Sequence, residues 1–196
     1  MAFFLLEKYL PEQTFPLLQK WIGQRPLHIK ITKERQSKLG DYRQLEDRSH
    51  QISINATLPP FLFFFVLTHE LAHLLAFERF GHRIAPHGSQ WKATFGEMIV
   101  ESLYLYPEDL RPILKKFSLS PKANFMASPD LVSYFRLKDL PPDFVLVKDL
   151  PEASRFVYNR KNYQLLRKMK KNYLCKNIDN GKSYVFQSIV PVKPLK

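Results

Sequence analysis

Two histidines four residues apart, with a glutamate directly after the first (His69-Glu70-x-x-His73), form the pattern in this chain best suited to chemistry. On a helix, positions i and i+4 share a face with Cβ atoms about 6 Å apart. Two imidazoles so placed can converge on one zinc ion at about 2.0–2.1 Å. Glu70 then stands about 100° round the helix, beside the metal rather than on it. A carboxylate there can take a proton from a water on the metal and deliver it to a leaving amine. The competing reading is a helix whose histidines bond to nearby backbone. Against it, a face lined by Phe63, Leu67 and Leu74 is a poor place for two polar rings unless something satisfies them, and a metal would.

A catalytic zinc needs a third protein ligand and one open position. The metzincin continuation would put glycine and histidine at positions that are here Ala76 and Arg79, which excludes that class. The remaining candidates are a glutamate on a later helix, Glu97 or Glu101, and a histidine in the following loop, His82 or His87. Gly81 ends the helix, and Ile84-Ala85-Pro86 lets the chain turn back. Gly88, directly after His87, permits a close backbone approach.

The elements that must position these residues are readable from periodicity. "PLLQKWI" places Leu17, Leu18, Trp21 and Ile22 on one helical face, closed by Gly23 and Pro26. "LHIKITKE" and "HQISINATL" alternate as strands, and "GDYRQ" opens another between them. Pro59-Pro60 starts the helix that carries the histidines, and Ser89 is placed to cap the next one, "QWKATFGEMIVESLYL". "PPFLFFFVLTHELAHLLAF" is long and apolar, but His69, Glu70 and His73 interrupt it, so a buried helix is expected and no membrane span. "MAFFLLEKYLPEQ" lacks a basic leader and a small-residue cleavage site and reads as a short amphipathic helix. Prolines 107, 112, 121, 129, 141 and 142 then break the chain into short pieces, with helices expected at 108–117 and 129–138. Beyond them "FVLVKDL", "SRFVYN", "KKNYLCKN" and "SYVFQSIVPV" read as strands, with Asn180-Gly181 as a hairpin turn between the last two.

"HELAH", followed fourteen residues after its second histidine by "HGSQWK", resembles the SprT-like/Spartan group of zinc metalloproteases. The lead-in "ISINATL" resembles that group too, in which Asn–x–x–Leu precedes the active-site helix. The resemblance covers about residues 20–105. It implies an α+β, zincin-like domain, a small sheet plus an active-site helix, holding one zinc per chain. His69, His73 and His87 take the ligand roles and Glu70 that of general base. Trp91 packs the loop rather than touching substrate, and His82 falls outside the motif, on the surface. The implied substrates are proteins on DNA, including crosslinked ones. The chain departs from bacterial relatives that carry a C-terminal zinc ribbon of four cysteines, because Cys175 stands alone. A second zinc is therefore not expected, and neither is a disulfide.

The charge distribution points the same way. Residues 151–196 hold eleven lysines and arginines against Glu152 and Asp179, a net of +9, so the other 150 residues carry +3 of the total +12. Such a segment suits an anionic partner, nucleic acid ahead of membrane. Arg155, Arg160, Lys161, Arg167, Lys168, Lys170 and Lys171 are the candidate phosphate contacts, for DNA that is single-stranded or nicked. Phe156, Tyr158, Tyr173, Tyr184 and Phe186 either pack a core or stack bases.

The expected organisation is a catalytic domain over 1–120, a Pro-punctuated connector over 121–145 and a basic antiparallel β unit over 146–196. The expected activity is zinc-dependent endoproteolysis of DNA-associated proteins in the cytoplasm, near the nucleoid. The alternative is a nucleic-acid-binding regulator with a structural zinc. A peptidase of soluble proteins, with the basic segment serving solubility alone, is a third.

Overall fold

The computed structural model describes residues 6–35, 38–124, 127–137, 141–170, 172–188 and 190–195. The chain is α+β and divides into two compact units, Met1–Ala127 and Ser128–Lys196. Residues 1–5 of the expected N-terminal helix lie outside the described residues, and its remainder forms a single 3-10 turn, Glu7–Tyr9.

The first unit is built around one helix. α1 (Phe15–Ile22) buries Leu17, Leu18, Trp21 and Ile22, the apolar face set by its spacing. β1 (Leu27–Thr32) pairs in parallel with β3 (His50–Asn55), and β2 (Gly40–Gln44) pairs antiparallel with β3. The order β1-β3-β2 leaves β2 at the edge. α2 (Pro60–Phe80) starts on the two prolines and ends at Gly81, whose φ is +79°. Phe63, Phe64, Phe65, Leu67 and Leu71 point to different sides of α2 and are all at most 1% exposed, so the helix is enclosed on every side along this stretch. By length and composition α2 could cross a membrane, yet 67% of its apolar window is buried inside this unit, as in a core helix.

α3 (Ser89–Ser102) packs on α2, and α4 (Arg111–Ser118) on α3. Ser89 is not the N-cap. Gly88 takes that position, and the Ser89 hydroxyl bonds to the Gln90 side chain instead.

The second unit begins with α5 (Pro129–Leu137). Six strands come after it: β4 (Val145–Leu146), β5 (Arg155–Tyr158), β6 (Lys161–Lys168), β7 (Asn172–Asn177), β8 (Ser183–Gln187) and β9 (Pro191–Pro194). They form one antiparallel sheet ordered β4-β9-β5-β6-β7-β8. Val147, Phe156, Tyr163, Leu165, Tyr173, Cys175, Phe186 and Val192 make its core.

Three details differ from the sequence reading. "FVLVKDL" is a strand for two residues only and then a 3-10 turn, Val147–Asp149. β6 is an additional strand, joined to β5 by a tight turn at Asn159 and Arg160, both with positive φ. The Asn180-Gly181 hairpin spans four loop residues, closed by Asn177 N–H donating to Lys182 O, because Asn177 also caps the loop through its side chain.

Candidate metal centre

α2 presents His69 and His73 on one face, one turn apart, and the turn after Gly81 returns His87 to meet them. That return is tight. Gly88 N–H donates to Ala85 O, and a Cβ added at Gly88 would lie 3.0 Å from the Ala85 Cβ. The ligand-capable nitrogens of the three rings lie within 4.8 Å of one another. His87 Nε2 is 3.1 Å from His73 Nε2 and 3.4 Å from His69 Nε2.

These separations fit a zinc ion. Nitrogens at 2.0–2.1 Å in tetrahedral directions are about 3.3–3.4 Å apart. Burial and mutual proximity push His69 down to about 3 and His73 down to about 4, and burial lowers His87 as well. All three rings are thus neutral near pH 7, the form that binds metal.

The three rings rest on one indole. Trp91, the third residue of α3, is fully buried with ring centroids 4.7 Å from His69, 5.2 Å from His73 and 4.7 Å from His87. Its Nε1–H is buried with no hydrogen-bond partner among the described residues. On its other side the His73 ring stacks on Tyr42, at 6.0 Å and 4° between planes. Tyr42 is fixed in turn by a 3.0 Å hydrogen bond between its hydroxyl and His50 Nδ1.

Glu70 is 6% exposed and accepts no hydrogen bond from another described residue. Burial, reinforced by Asp41, pushes its carboxyl up to about 8, against the pull of Arg35 and Lys38. The start of β2 lies directly on it. A Cβ added at Gly40 would stand 2.5 Å from Glu70 Oε1 and 2.7 Å from Val66 Cγ1. One face of β2 therefore meets α2 twice, Gly40 against Glu70 and Tyr42, two residues on, against His73.

The loop feeding Gly40 is anchored by Asn55, which is 1% exposed. Asn55 Nδ2 donates to the carbonyls of Arg35 and Lys38, and its Oδ1 accepts from Arg35 Nε at 2.8 Å. Arg35 reaches on to Ser53 Oγ at 2.9 Å.

The other ligand candidates lie apart. His82 is exposed, its ring edge-on to Phe77. Glu97 is engaged by Arg79, and Glu101 by Lys20 and Trp21 Nε1. Sequence reasoning missed Gly40, Tyr42 and Arg35. The only signal available was a glycine opening a strand, a position that often marks close backbone approach.

In the second unit the candidate phosphate contacts fall into three places. Arg155 and Arg167 are exposed on the sheet, Arg160 and Lys161 sit at the β5–β6 turn, and Lys168 and Lys170 at the β6–β7 turn. The two turns are separated by the length of β6, about 23 Å. Lys171 lies outside the described residues. Phe156, Tyr173 and Phe186 are core residues, Tyr158 packs against that core, and Tyr184 stands edge-on to Tyr163.

Among known proteins, the chain is similar to Protein SprT of Pseudomonas fluorescens (strain SBW25), 42% identical over 43 residues. The match covers 22% of this chain and 23% of that protein, so it spans under a quarter of the relative's length. No family model matches the chain, and no solved structure does.

Proposed function

We propose that this chain is a zinc-dependent endopeptidase with a zincin-like first unit, acting on proteins associated with DNA. His69, His73 and His87 are the metal ligands and Glu70 the general base. The observation that carries this reading is the convergence of three imidazole nitrogens with no fourth Cys, His, Asp or Glu among the described residues of the cluster. Structural zinc sites are closed by four protein ligands, whereas catalytic ones keep a position open. That favours an enzyme over a nucleic-acid-binding regulator with a structural zinc. The partial likeness to SprT and the "HELAH…HGSQWK" motif support the same choice.

A bound zinc ion would supply an activated water at neutral pH and polarise a scissile carbonyl. The chain's own groups do the rest. The Glu70 carboxylate, which accepts no hydrogen bond from another described residue, takes a proton from the attacking water on one oxygen and passes it to the departing amine. Trp91 and Tyr42 clamp the His73 ring from both sides, and Trp91 supports His69 and His87. The net charge of +9 on residues 151–196 supports a nucleic-acid contact made by the second unit.

The test is proteolysis of a DNA-bound protein by the zinc-loaded chain, with and without DNA, beside Glu70→Gln. Cleavage lost in Glu70→Gln with one zinc still bound is the expected result, about 10²–10⁴-fold for a general base. Full activity in that variant, or none in the wild type holding one zinc, overturns the protease reading.

A further inference from the structure

Strand register sorts the side chains of the six-stranded sheet into two faces. The inner rows hold the core: Phe156 opposite Tyr163, Leu165 opposite Cys175, Tyr173 opposite Phe186. The outer rows run Arg155–Gln164–Lys176–Ser183 and Arg167–Leu174–Val185, with Val157 opposite Asn162 beside them.

Arg167 owes its place to a β-bulge. In strict alternation it would follow Tyr163 and Leu165 into the core. The register shift between Leu165 and Arg167 inserts Leu166 and turns Arg167 outward, opposite Leu174. Arg155, Arg167 and Lys176 are exposed, and their side chains make no ion pair or hydrogen bond to another described residue.

Among the described residues of these rows there is no carboxylate and no aromatic ring. Two acids reach the margins of this face, and both are held: Asp179 by Asn162 at the end of β6 remote from Arg167, and Asp143 by Lys193, opposite Val157. Val185, on the edge strand β8, is 57% exposed, and Leu174 opposite it on β7 is half-buried.

From this arrangement we infer that the outer sheet face, carried by Arg155, Arg167 and Lys176, docks the phosphate backbone of duplex DNA. This rests on the nucleic-acid half of the proposed function and specifies its partner. Charge complementarity selects a polyanion. Proteins that hold single strands stack the bases on exposed aromatic rings, and here the outer rows carry none, the exposed Tyr184 lying in the row of Cys175 on the other face. A duplex keeps its own bases stacked and asks for cations alone. The choice of DNA over RNA follows from the proposed function, which acts on DNA-associated proteins, and the RNA duplex in the test below decides it.

The test uses the full chain and fluorescence anisotropy with a labelled DNA duplex, one of its strands, and an RNA duplex of equal length, each over a salt series. A face variant (Arg155→Gln, Arg167→Gln, Lys176→Gln) is compared with a control of equal charge at the turns (Arg160→Gln, Lys161→Gln, Lys182→Gln). All six sites are exposed, and a melting curve checks that both variants fold.

The expected result is tightest binding to duplex DNA, weakened about tenfold or more in the face variant. The slope of log affinity against log salt should shrink there by about 2.7, which is three contacts at about 0.9 each, and stay unchanged in the control. Equal loss in the two variants would overturn the face while leaving DNA binding intact. Single strand or RNA duplex bound as tightly as duplex DNA would overturn the choice of partner. Binding to none of the three would remove the nucleic-acid half of the proposed function and this inference with it.

Discussion

The Gly40 backbone lies against the Glu70 carboxyl so closely that a single added carbon would stand 2.5 Å from Oε1. An edge strand thereby sets where the candidate base can point. Gly40→Ala should push the carboxyl aside while leaving the three imidazoles in place. The expected result is zinc stoichiometry unchanged and kcat reduced about 10²-fold, with KM little altered, since a shift of about 1 Å at a reacting group costs that much. Loss of zinc in this variant would show that the strand supports the ligands instead.

Trp91 touches all three ligand rings, so its truncation should loosen them together. Trp91→Ala is expected to lower zinc affinity about 10–100-fold, and Trp91→Phe to recover most of it. Competition against a chromogenic chelator measures both. Stripping zinc from the wild type should lower Tm, because a ligand at 100 times its Kd stabilises by about 2.7 kcal/mol.

Asn55 and Arg35 form the clasp that delivers the chain to Gly40. Asn55→Ala leaves two carbonyls and part of a guanidinium without partners in a partly buried place. A loss of about 2–4 kcal/mol is expected in denaturant unfolding. A change below about 0.5 kcal/mol would mean the loop is held by other contacts.

Metal-free protein should be most stable near about pH 6.5. Folded Glu70 keeps its proton up to about pH 8, while the unfolded chain releases it near about pH 4.3, so raising the pH across that window favours unfolding. Folded His69 and His73 stay neutral down to about 3 and 4, while unfolded histidine binds a proton near about 6.5, so lowering the pH below that value also favours unfolding. Glu70→Gln should remove only the alkaline limb, melting higher than wild type at about pH 8 and equally at about pH 4. Melts in chelator across that range decide this; identical curves would place Glu70 in contact with water.

Much of the first unit was legible because its signals are local. The Leu17, Leu18, Trp21, Ile22 spacing, the Pro59-Pro60 start and the Gly81 stop correspond to the elements found. The convergence of His87 on His69 and His73 needed the turn after Gly81, which spacing alone left open between four candidates.

Gly40, Tyr42 and Arg35 were invisible for a different reason, since their partners Glu70, His73 and Asn55 lie about 20–30 residues away and no local pattern links them. β6 escaped because Asn159 and Arg160 make a tight turn without glycine, and the bulge at Leu166 breaks the alternation. The aromatics of the second unit could be read either way until the sheet placed Phe156, Tyr173 and Phe186 in the core, with Tyr158 against it, and left Tyr184 exposed.

The enclosure of α2 has a consequence during synthesis, before there is a fold to enclose it. A 21-residue segment this apolar is, by length and composition, long enough to cross a membrane. Glu70 lies near its midpoint, where an acidic residue raises the cost of insertion by about 2.5–3.5 kcal/mol, and His69 and His73 flank it. The residues proposed to perform catalysis thus also act against missorting of their own helix. An inactive variant made with leucine at position 70 would change both properties at once, whereas glutamine, still polar, tests the chemistry alone.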